Sequence, residues 1–245
     1  MSNVKIFNNF KIHTQYSICE GAIKIDDLAI HCKENKVANI GICDSYNLCG
    51  ALEFAEKLSK SGTQPIIGTQ INFSLENSIG KLPVFASTSY GYKNLIKLSS
   101  KSYLDSDEKT DAHCKISEFK NNNEGLILLS GNHHGLFGKL FKLNKLKQIE
   151  EAVKELKNIF KDRFYLEIQR HNEAGEENYE NFIIKLSEVN QIPLIATQEI
   201  FYLKKEMYEA HDALVCIGQK NFVDDPNRQK FSDQHFIKKN EEIIN

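Results

Sequence analysis

The sequence has no uninterrupted apolar run long enough to cross a bilayer. Its first residues, MSNVKIFNNFKIH, also lack the apolar core of a signal peptide. These two absences predict a cytoplasmic protein with no membrane partner. With 245 residues, of which 41% are hydrophobic and 26% charged, the chain can bury a substantial core and has an ordinary globular composition.

Closely spaced cysteine pairs are missing as well. No two of the six cysteines form a CxxC motif, which argues against a zinc ribbon and against a disulfide framework. The six are Cys19, Cys32, Cys43, Cys49, Cys114 and Cys216. We expect them to be reduced and to act as small apolar side chains.

The sequence also has no excess of positive charge. Its 31 Lys and Arg residues against 33 Asp and Glu residues give a formal net charge of -2. Proteins that follow a phosphate backbone need clustered Lys and Arg residues. The surface as a whole is therefore not expected to bind nucleic acid strongly, and a role with DNA would be local or belong to another part of a larger protein.

Seven apolar runs with strand character recur along the chain. They lie at 10–14, 38–44, 65–73, 82–88, 124–131, 163–170 and 193–203. Stretches with helical spacing separate most of them, at 24–36, 50–62, 91–104, 146–160 and 178–190. This alternation predicts parallel strands joined by right-handed crossovers. Because no Gly-rich phosphate loop follows the first strand, a (β/α) barrel is favoured over an open doubly wound sheet, with its chemistry at the carboxyl ends of the strands.

Two polar segments depart from the alternation. Residues 105–123 are expected to form a surface excursion with one short helix. Residues 218–245 contain few apolar residues and stop at what looks like the opening turns of a helix, so we expect a piece of a longer chain. Within this second segment, the stretch RQKFSDQHFIKK at 228–239 mixes basic and aromatic residues. It could contact nucleic acid, but a solvated connector is favoured.

Several stretches resemble, in order and spacing, the N-terminal PHP (polymerase and histidinol phosphatase) domain of bacterial DNA polymerase III alpha subunits. They are YSICEGAIKIDDLAIHCKENKVANIGICDSYNLCGALEF, QPIIGTQINF, GYKNLIKLSSKSY, EGLILLSG, DRFYLEIQRH, PLIAT and YEAHDALVCI. The resemblance covers nearly the whole chain. It implies an α/β fold, a distorted seven-stranded (β/α)7 TIM-like barrel at 1–220, followed by a connector at 221–245 toward a polymerase core.

The resemblance also implies a pocket for up to three metal ions at the strand ends, where His, Asp and Glu ligands activate water to attack phosphate esters. The aligned positions here are Lys11, His13, Glu20, Asp44, Ser45, Gln70, Lys81, Glu167, Glu199 and Phe201. Five of them cannot act as good ligands, namely Lys11, Ser45, Gln70, Lys81 and Phe201. We therefore expect a vestigial pocket with no catalytic residue and no metal, whose lysines pair with its remaining glutamates.

The histidines of the chain allow both a functional and a structural interpretation. For His13, a hydrogen-bonded imidazole in a polar pocket is favoured over a residual ligand. His133 and His134 follow a strand, but adjacent residues on an extended segment point in opposite directions, so a surface loop is favoured over a shared ion site. His211 and Asp212 lie on an amphipathic helix and are expected to be structural.

The resemblance favours a non-catalytic module that supports a replicative polymerase core and docks the proofreading exonuclease subunit. The full-length protein would be a DNA-directed DNA polymerase that uses deoxynucleoside triphosphates and magnesium, and that contacts DNA and other replicase subunits. One alternative is a metal-dependent phosphoesterase or 3′-5′ exonuclease acting on phosphate esters or DNA ends, which the ligand set disfavours. Another is a stand-alone domain without a polymerase.

Overall fold

Strands and helices alternate along the chain much as the hydrophobic pattern predicts. The computed structural model describes residues 7–106, 109–228 and 230–244. The strands in these ranges are β1 (Lys11–Ile12), β2 (Asn39–Ser45), β3 (Gln64–Leu75), β4 (Ser78–Ala86), β5 (Cys114–Lys115), β6 (Leu126–Leu129), β7 (Phe164–Ile168), β8 (Leu194–Ala196) and β9 (Glu199–Ile200). The helices are α1 (Ile25–Glu34), α2 (Ala51–Lys60), α3 (Ser89–Leu104), α4 (Leu136–Lys142), α5 (Leu146–Phe160), α6 (Glu176–Asn190), α7 (Tyr208–Gln219) and α8 (Asn240–Ile244).

The strands form one mixed sheet in the order β8-β7-β6-β4-β3-β2-β1-β9, with β5 paired to β3. The two outermost strands, β8 and β9, are successive parts of one chain segment, 194–200. Its first half pairs with β7 and its second half pairs with β1, where Lys11 lies opposite Glu199. One segment therefore joins both ends of the curled sheet, which confirms the predicted distorted barrel.

The prediction of parallel strands is wrong for β4. This strand runs antiparallel to both β3 and β6. Only residues 76 and 77 separate β3 from β4, and Glu76 adopts a left-handed backbone conformation with φ of 50°. A parallel strand needs a crossover of about a dozen residues or more, so this short connection can only form a hairpin.

Apolar side chains at helical spacing bind the outer helices to the sheet. On α5, Ile149, Val153, Leu156 and Phe160 are all buried on one face. Burying each such side chain is worth about 1.5–3 kcal/mol, which adds to the helix preference of the many Lys, Glu and Leu residues in the segment. In the described ranges no helix is long and apolar enough to span a bilayer.

Part of the segment predicted as a surface excursion, 105–123, belongs to the core. A turn of 3-10 helix at Ile116–Lys120 carries Phe119, which is fully buried and stacks on Phe73 with ring centroids 4.4 Å apart. The predicted short helix is thus present, but it packs inward because one of its faces is apolar. Residues 107 and 108 of this segment lie outside the described residues.

The prediction of a solvated connector at 228–239 is also wrong. Residue 229 lies outside the described residues, but His235 is only 2% exposed and its carbonyl accepts the N–H of Phe201 at 2.9 Å. A β-bridge joins Phe236 to Tyr202 beside it. The stretch is retained on the barrel because these backbone and imidazole contacts compensate for its low apolar content. The helix expected at the end of the sequence is present as α8, whereas a domain boundary at 220 stays a prediction.

All six cysteines are free thiols. Cys32, Cys43, Cys114 and Cys216 are buried, as expected for small apolar side chains. Cys49 is exposed, which differs from that expectation. Burial raises the pKa of the Cys32 thiol to about 11, so this side chain is an unreactive packing residue.

Candidate functional site

The ten positions predicted for the vestigial pocket converge at one mouth of the barrel. Glu20, Gln70, Lys81, Glu199 and Phe201 line a cavity of about 600 Å³ there. The other five lie beneath or beside this lining. The strand ends thus bring together residues that are up to 190 positions apart in the sequence, as the barrel fold requires.

Lys11 is the most deeply buried cation of this mouth, with 1% of its surface exposed. Its Nζ lies 3.0 Å from Oε1 of Glu167 and 3.6 Å from Oε1 of Glu199. Burial opposes the charge of Lys11, but the two carboxylates outweigh it and raise the pKa of Lys11 above its ordinary value. The predicted pairing of this lysine with the remaining glutamates is confirmed.

Glu199 is the carboxylate that joins most of these residues. Its Oε1 accepts hydrogen bonds from Nε2 of His13, at 2.9 Å, and from the amide of Gln70. Its Oε2 accepts one from the amide of Asn132. Burial alone would raise the pKa of Glu199, but Lys11 and His13 hold it well below its usual range. We call Lys11, His13, Gln70, Glu167 and Glu199 the ion-pair core.

The hydrogen bonds of the Glu167 side chain are made by one of its two carboxylate oxygens. Its Oε1 accepts hydrogen bonds from Lys11, from Gln169 at 2.8 Å and from Thr197. Its Oε2 has no hydrogen-bond partner within the described part of the chain. The ammonium of Lys11 supplies the local positive charge that a buried carboxylate needs.

The second lysine of the pocket, Lys81, forms a separate ion pair nearer to solvent. Its Nζ lies 2.7 and 2.8 Å from the two carboxylate oxygens of Glu20 and 2.9 Å from Oγ of Ser45. Burial disfavours both charges, but the pair overcomes this, so the pKa of Lys81 is raised and that of Glu20 is lowered. The predicted pairing of Lys81 is therefore confirmed too.

Two further predicted positions have structural contacts that a ligand would not have. The carboxylate of Asp44 accepts two hydrogen bonds from Thr14, one from its backbone N–H (2.6 Å) and one from its side-chain hydroxyl (2.7 Å). It accepts a third from the hydroxyl of Ser17 (2.7 Å). Burial raises the pKa of Asp44, and these hydrogen bonds oppose the rise. The ring of Phe201 packs on His13 with centroids 4.6 Å apart.

These residues do not fit the multinuclear metal centre that the fold implies. Two ammonium groups lie among the carboxylates, where they would repel metal ions, and a phenyl ring covers His13. The oxygens of Asp44 and Glu199 already accept protein hydrogen bonds. No reaction step through such a centre follows from this arrangement.

His171 belongs to the mouth but was not among the predicted residues. It is 2% exposed, stacks in parallel on His235 with centroids 4.1 Å apart, and its Nε2 accepts the backbone N–H of Glu199 at 3.2 Å. Burial, with the neighbouring His235 adding to it, lowers the pKa of His171 to about 4. Its position directly after the run at 163–170 is a strand-end signal that could have identified it.

A second group of residues surrounds Glu173 at the rim of the same cavity. Oε2 of Glu173 lies 3.2 Å from Nε2 of His133 and 2.6 Å from Nε2 of His134. Its other oxygen, Oε1, lies 3.1 Å from Nε2 of His235. We call these four residues the Glu173 cluster. Burial would raise the pKa of Glu173, but the three imidazoles outweigh it and leave that pKa well below the usual range.

The prediction that His133 and His134 point in opposite directions is wrong. Residues 132–135 form a turn, in which Oδ1 of Asn132 accepts the N–H groups of His134 at 3.0 Å and Gly135 at 3.1 Å. The alternation of side chains holds for extended backbone only, and this turn brings the two rings to a centroid distance of 3.8 Å. Both rings can therefore reach the same carboxylate.

His211 and Asp212, on α7, make structural contacts as predicted. Nε2 of His211 lies 2.7 Å from the carbonyl oxygen of Glu20. The carboxylate of Asp212 receives two hydrogen bonds of 2.6 Å from Arg228. The helix thus supports the loop of Glu20 on one side and the segment after α7 on the other.

The chain belongs to the PHP domain family, which matches residues 9–171. Two of its relatives are DNA polymerase III subunit alpha from Rickettsia bellii and from Caulobacter vibrioides, each 35% identical over 97% of this chain. The chain spans about a fifth of the length of these relatives, 20% and 21%.

The fold is also similar to a solved structure of low sequence identity. The crystal structure of a proposed metal-dependent phosphoesterase from Bifidobacterium adolescentis superimposes with a TM-score of 0.52 and 10% identity, over 78% of this chain and 86% of that one. At this identity the likeness is one of fold alone.

Proposed function

We propose that this chain is a non-catalytic PHP domain that supports the polymerase core of a replicative DNA polymerase. The observation that carries the proposal is the position of Lys11, whose ammonium lies 3.0 Å from Glu167 and 3.6 Å from Glu199 in the interior of the pocket. An ammonium built into a site neutralises the carboxylates that would otherwise attract metal ions. The ten pocket positions then stabilise the barrel instead of activating water.

The proposal extends to the protein of which such a domain is a part. The relatives are about five times as long as this chain, and they are named as DNA polymerases. We propose that the full-length protein synthesises DNA from deoxynucleoside triphosphates with magnesium. We place the partners of this segment among replicase proteins in the cytoplasm, with the proofreading exonuclease subunit docked on the PHP domain. Contacts with DNA would be made through the rest of the full-length protein, in keeping with a net charge of -2 for this segment.

Two assays on the purified chain test this proposal. With manganese or zinc, we expect no saturable hydrolysis of a chromogenic phosphate ester or of a 3′-labelled oligonucleotide. Turnover that saturates with substrate and is lost in Glu199→Gln would establish a phosphoesterase instead. In size-exclusion chromatography with the exonuclease subunit we expect a one-to-one complex, and separate elution of the two proteins would remove the docking role.

A further inference from the structure

The Glu173 cluster draws its side chains from three parts of the chain that meet at the rim of the cavity. His133 and His134 come from the turn before α4, Glu173 from the loop after β7, and His235 from the stretch before α8. The ligand atoms of His133, His134 and Glu173 all lie within 4.8 Å of one another. We propose that these three residues bind one divalent cation of the zinc type. None of them is among the ten positions of the vestigial pocket.

The donor set and its spacing fit this class of ion. Two imidazole nitrogens and one carboxylate oxygen are ligands that zinc and its neighbours prefer. Tetrahedral bonds of about 2.0–2.1 Å place neighbouring ligand atoms roughly 3.3 Å apart. The Nε2 atoms of His133 and His134 already lie 3.2 and 2.6 Å from Oε2 of Glu173. Small side-chain rotations would complete the site.

His235 and a backbone group hold Glu173 from the other side. Nε2 of His235 lies 3.1 Å from Oε1 of Glu173, and Nδ1 of the same ring lies 2.9 Å from the carbonyl oxygen of Glu199. The backbone N–H of Ser232 also donates to Oε1 of Glu173, at 3.4 Å. These contacts fix the carboxylate so that its other oxygen, Oε2, faces His133 and His134.

No lysine of the described residues forms an ion pair with Glu173 as Lys11 does with Glu167 and Glu199 in the ion-pair core. Within the described part of the chain, the ion-pair partners of Glu173 are His133, His134 and His235. Lys142 is an exposed residue whose Nζ lies 3.5 Å from Nδ1 of His134, the ring nitrogen that does not contact Glu173. Three protein ligands would leave a fourth position of the ion open to the cavity.

Zinc binding to the chain, purified without a histidine tag and treated with a chelator, tests this site. Isothermal titration calorimetry should give one zinc ion per chain, and cobalt should give the visible absorption bands of a tetrahedral complex. His134→Ala should weaken binding at least 100-fold. The side chain of His134 is 37% exposed, so this variant should fold, which circular dichroism would check. Glu173→Gln is a second variant with the same expected loss.

Three variants separate this site from other places where zinc could bind. Glu20→Gln removes a carboxylate of the vestigial pocket, and His113→Ala removes a remote imidazole; both should bind zinc as the unchanged chain does. Lys142→Gln removes a competing charge and should strengthen binding by a few fold. The proposal is overturned if the unchanged chain binds no zinc, if His134→Ala binds it equally well, or if Glu20→Gln loses it.

Discussion

The ion-pair core and the Glu173 cluster both bury carboxylates at the same barrel mouth, but they neutralise them differently. In the core, the ammonium of Lys11 is a permanent part of the chain and is 1% exposed. Around Glu173, the available groups are imidazoles, a type of side chain that binds divalent metal ions. The lysine therefore neutralises its carboxylates without a metal ion. The histidines around Glu173 instead leave room for a metal ion to do so. Three changes would break or sharpen this comparison.

The largest effect is expected from Lys11→Met, which keeps the length of the side chain but removes its charge. The variant leaves Glu167 and Glu199 buried without their cation, and breaking a buried ion pair costs about 3–5 kcal/mol. Urea denaturation at pH 7 should show a loss of this size in the free energy of unfolding. A loss below about 1 kcal/mol would mean that the carboxylates have another source of charge, and the contrast between the two regions would disappear.

The second effect concerns pH and His171, which stacks on His235 of the Glu173 cluster. The pKa of His171 is about 4 in the folded chain against an ordinary value of 6.5. As the pH falls from 6.5, the unfolded state takes up this proton before the folded state does, so stability is lost between about pH 6.5 and 4, by up to roughly 3 kcal/mol. His171→Gln should reduce this pH dependence of the urea midpoint.

The matched control for that measurement is His113→Gln, which changes an imidazole away from the barrel mouth. It should retain the full loss of stability between pH 6.5 and 4. If both variants behave as the unchanged chain does, His171 is not the group that titrates.

The smallest effect is expected from Lys81→Met. This lysine pairs with Glu20 at 2.7 Å, but both side chains are about a quarter exposed, at 24% and 27%. Water screens such pairs, and they contribute about 1 kcal/mol or less. In urea denaturation, the free energy of unfolding should therefore be clearly higher for Lys81→Met than for Lys11→Met. Equal losses in the two variants would show that burial does not distinguish the two lysines.

The sequence was sufficient for features that depend on local patterns. Alternating strand and helix runs predicted the barrel, and residues at strand ends, such as Lys11 and Glu199, were correctly expected to meet. The antiparallel β4 was missed although the absence of a helix before residue 82 was visible. The paired rings of His133 and His134 depend on a turn stabilised by a single side chain, that of Asn132.

Contacts between distant loops had no signal of this kind. His235 and Glu173 are 62 positions apart, in segments that the hydrophobic pattern leaves undefined. Neither segment has a period that specifies which of its side chains faces the barrel. Only the folded chain, in which the stretch before α8 packs on β9, brings the two together.

The segment 194–200, which pairs with both ends of the sheet, also sets the order of events during synthesis. The side chains of His13 and Glu199 are 186 positions apart. At roughly 5–20 residues per second a ribosome needs about 10–40 s to produce that interval. Throughout this time β1 lacks one of its two neighbours, and Lys11 lacks both carboxylates until Glu167 is made, 156 positions after it. The first strand of the barrel is thus among the first parts made and the last to be enclosed.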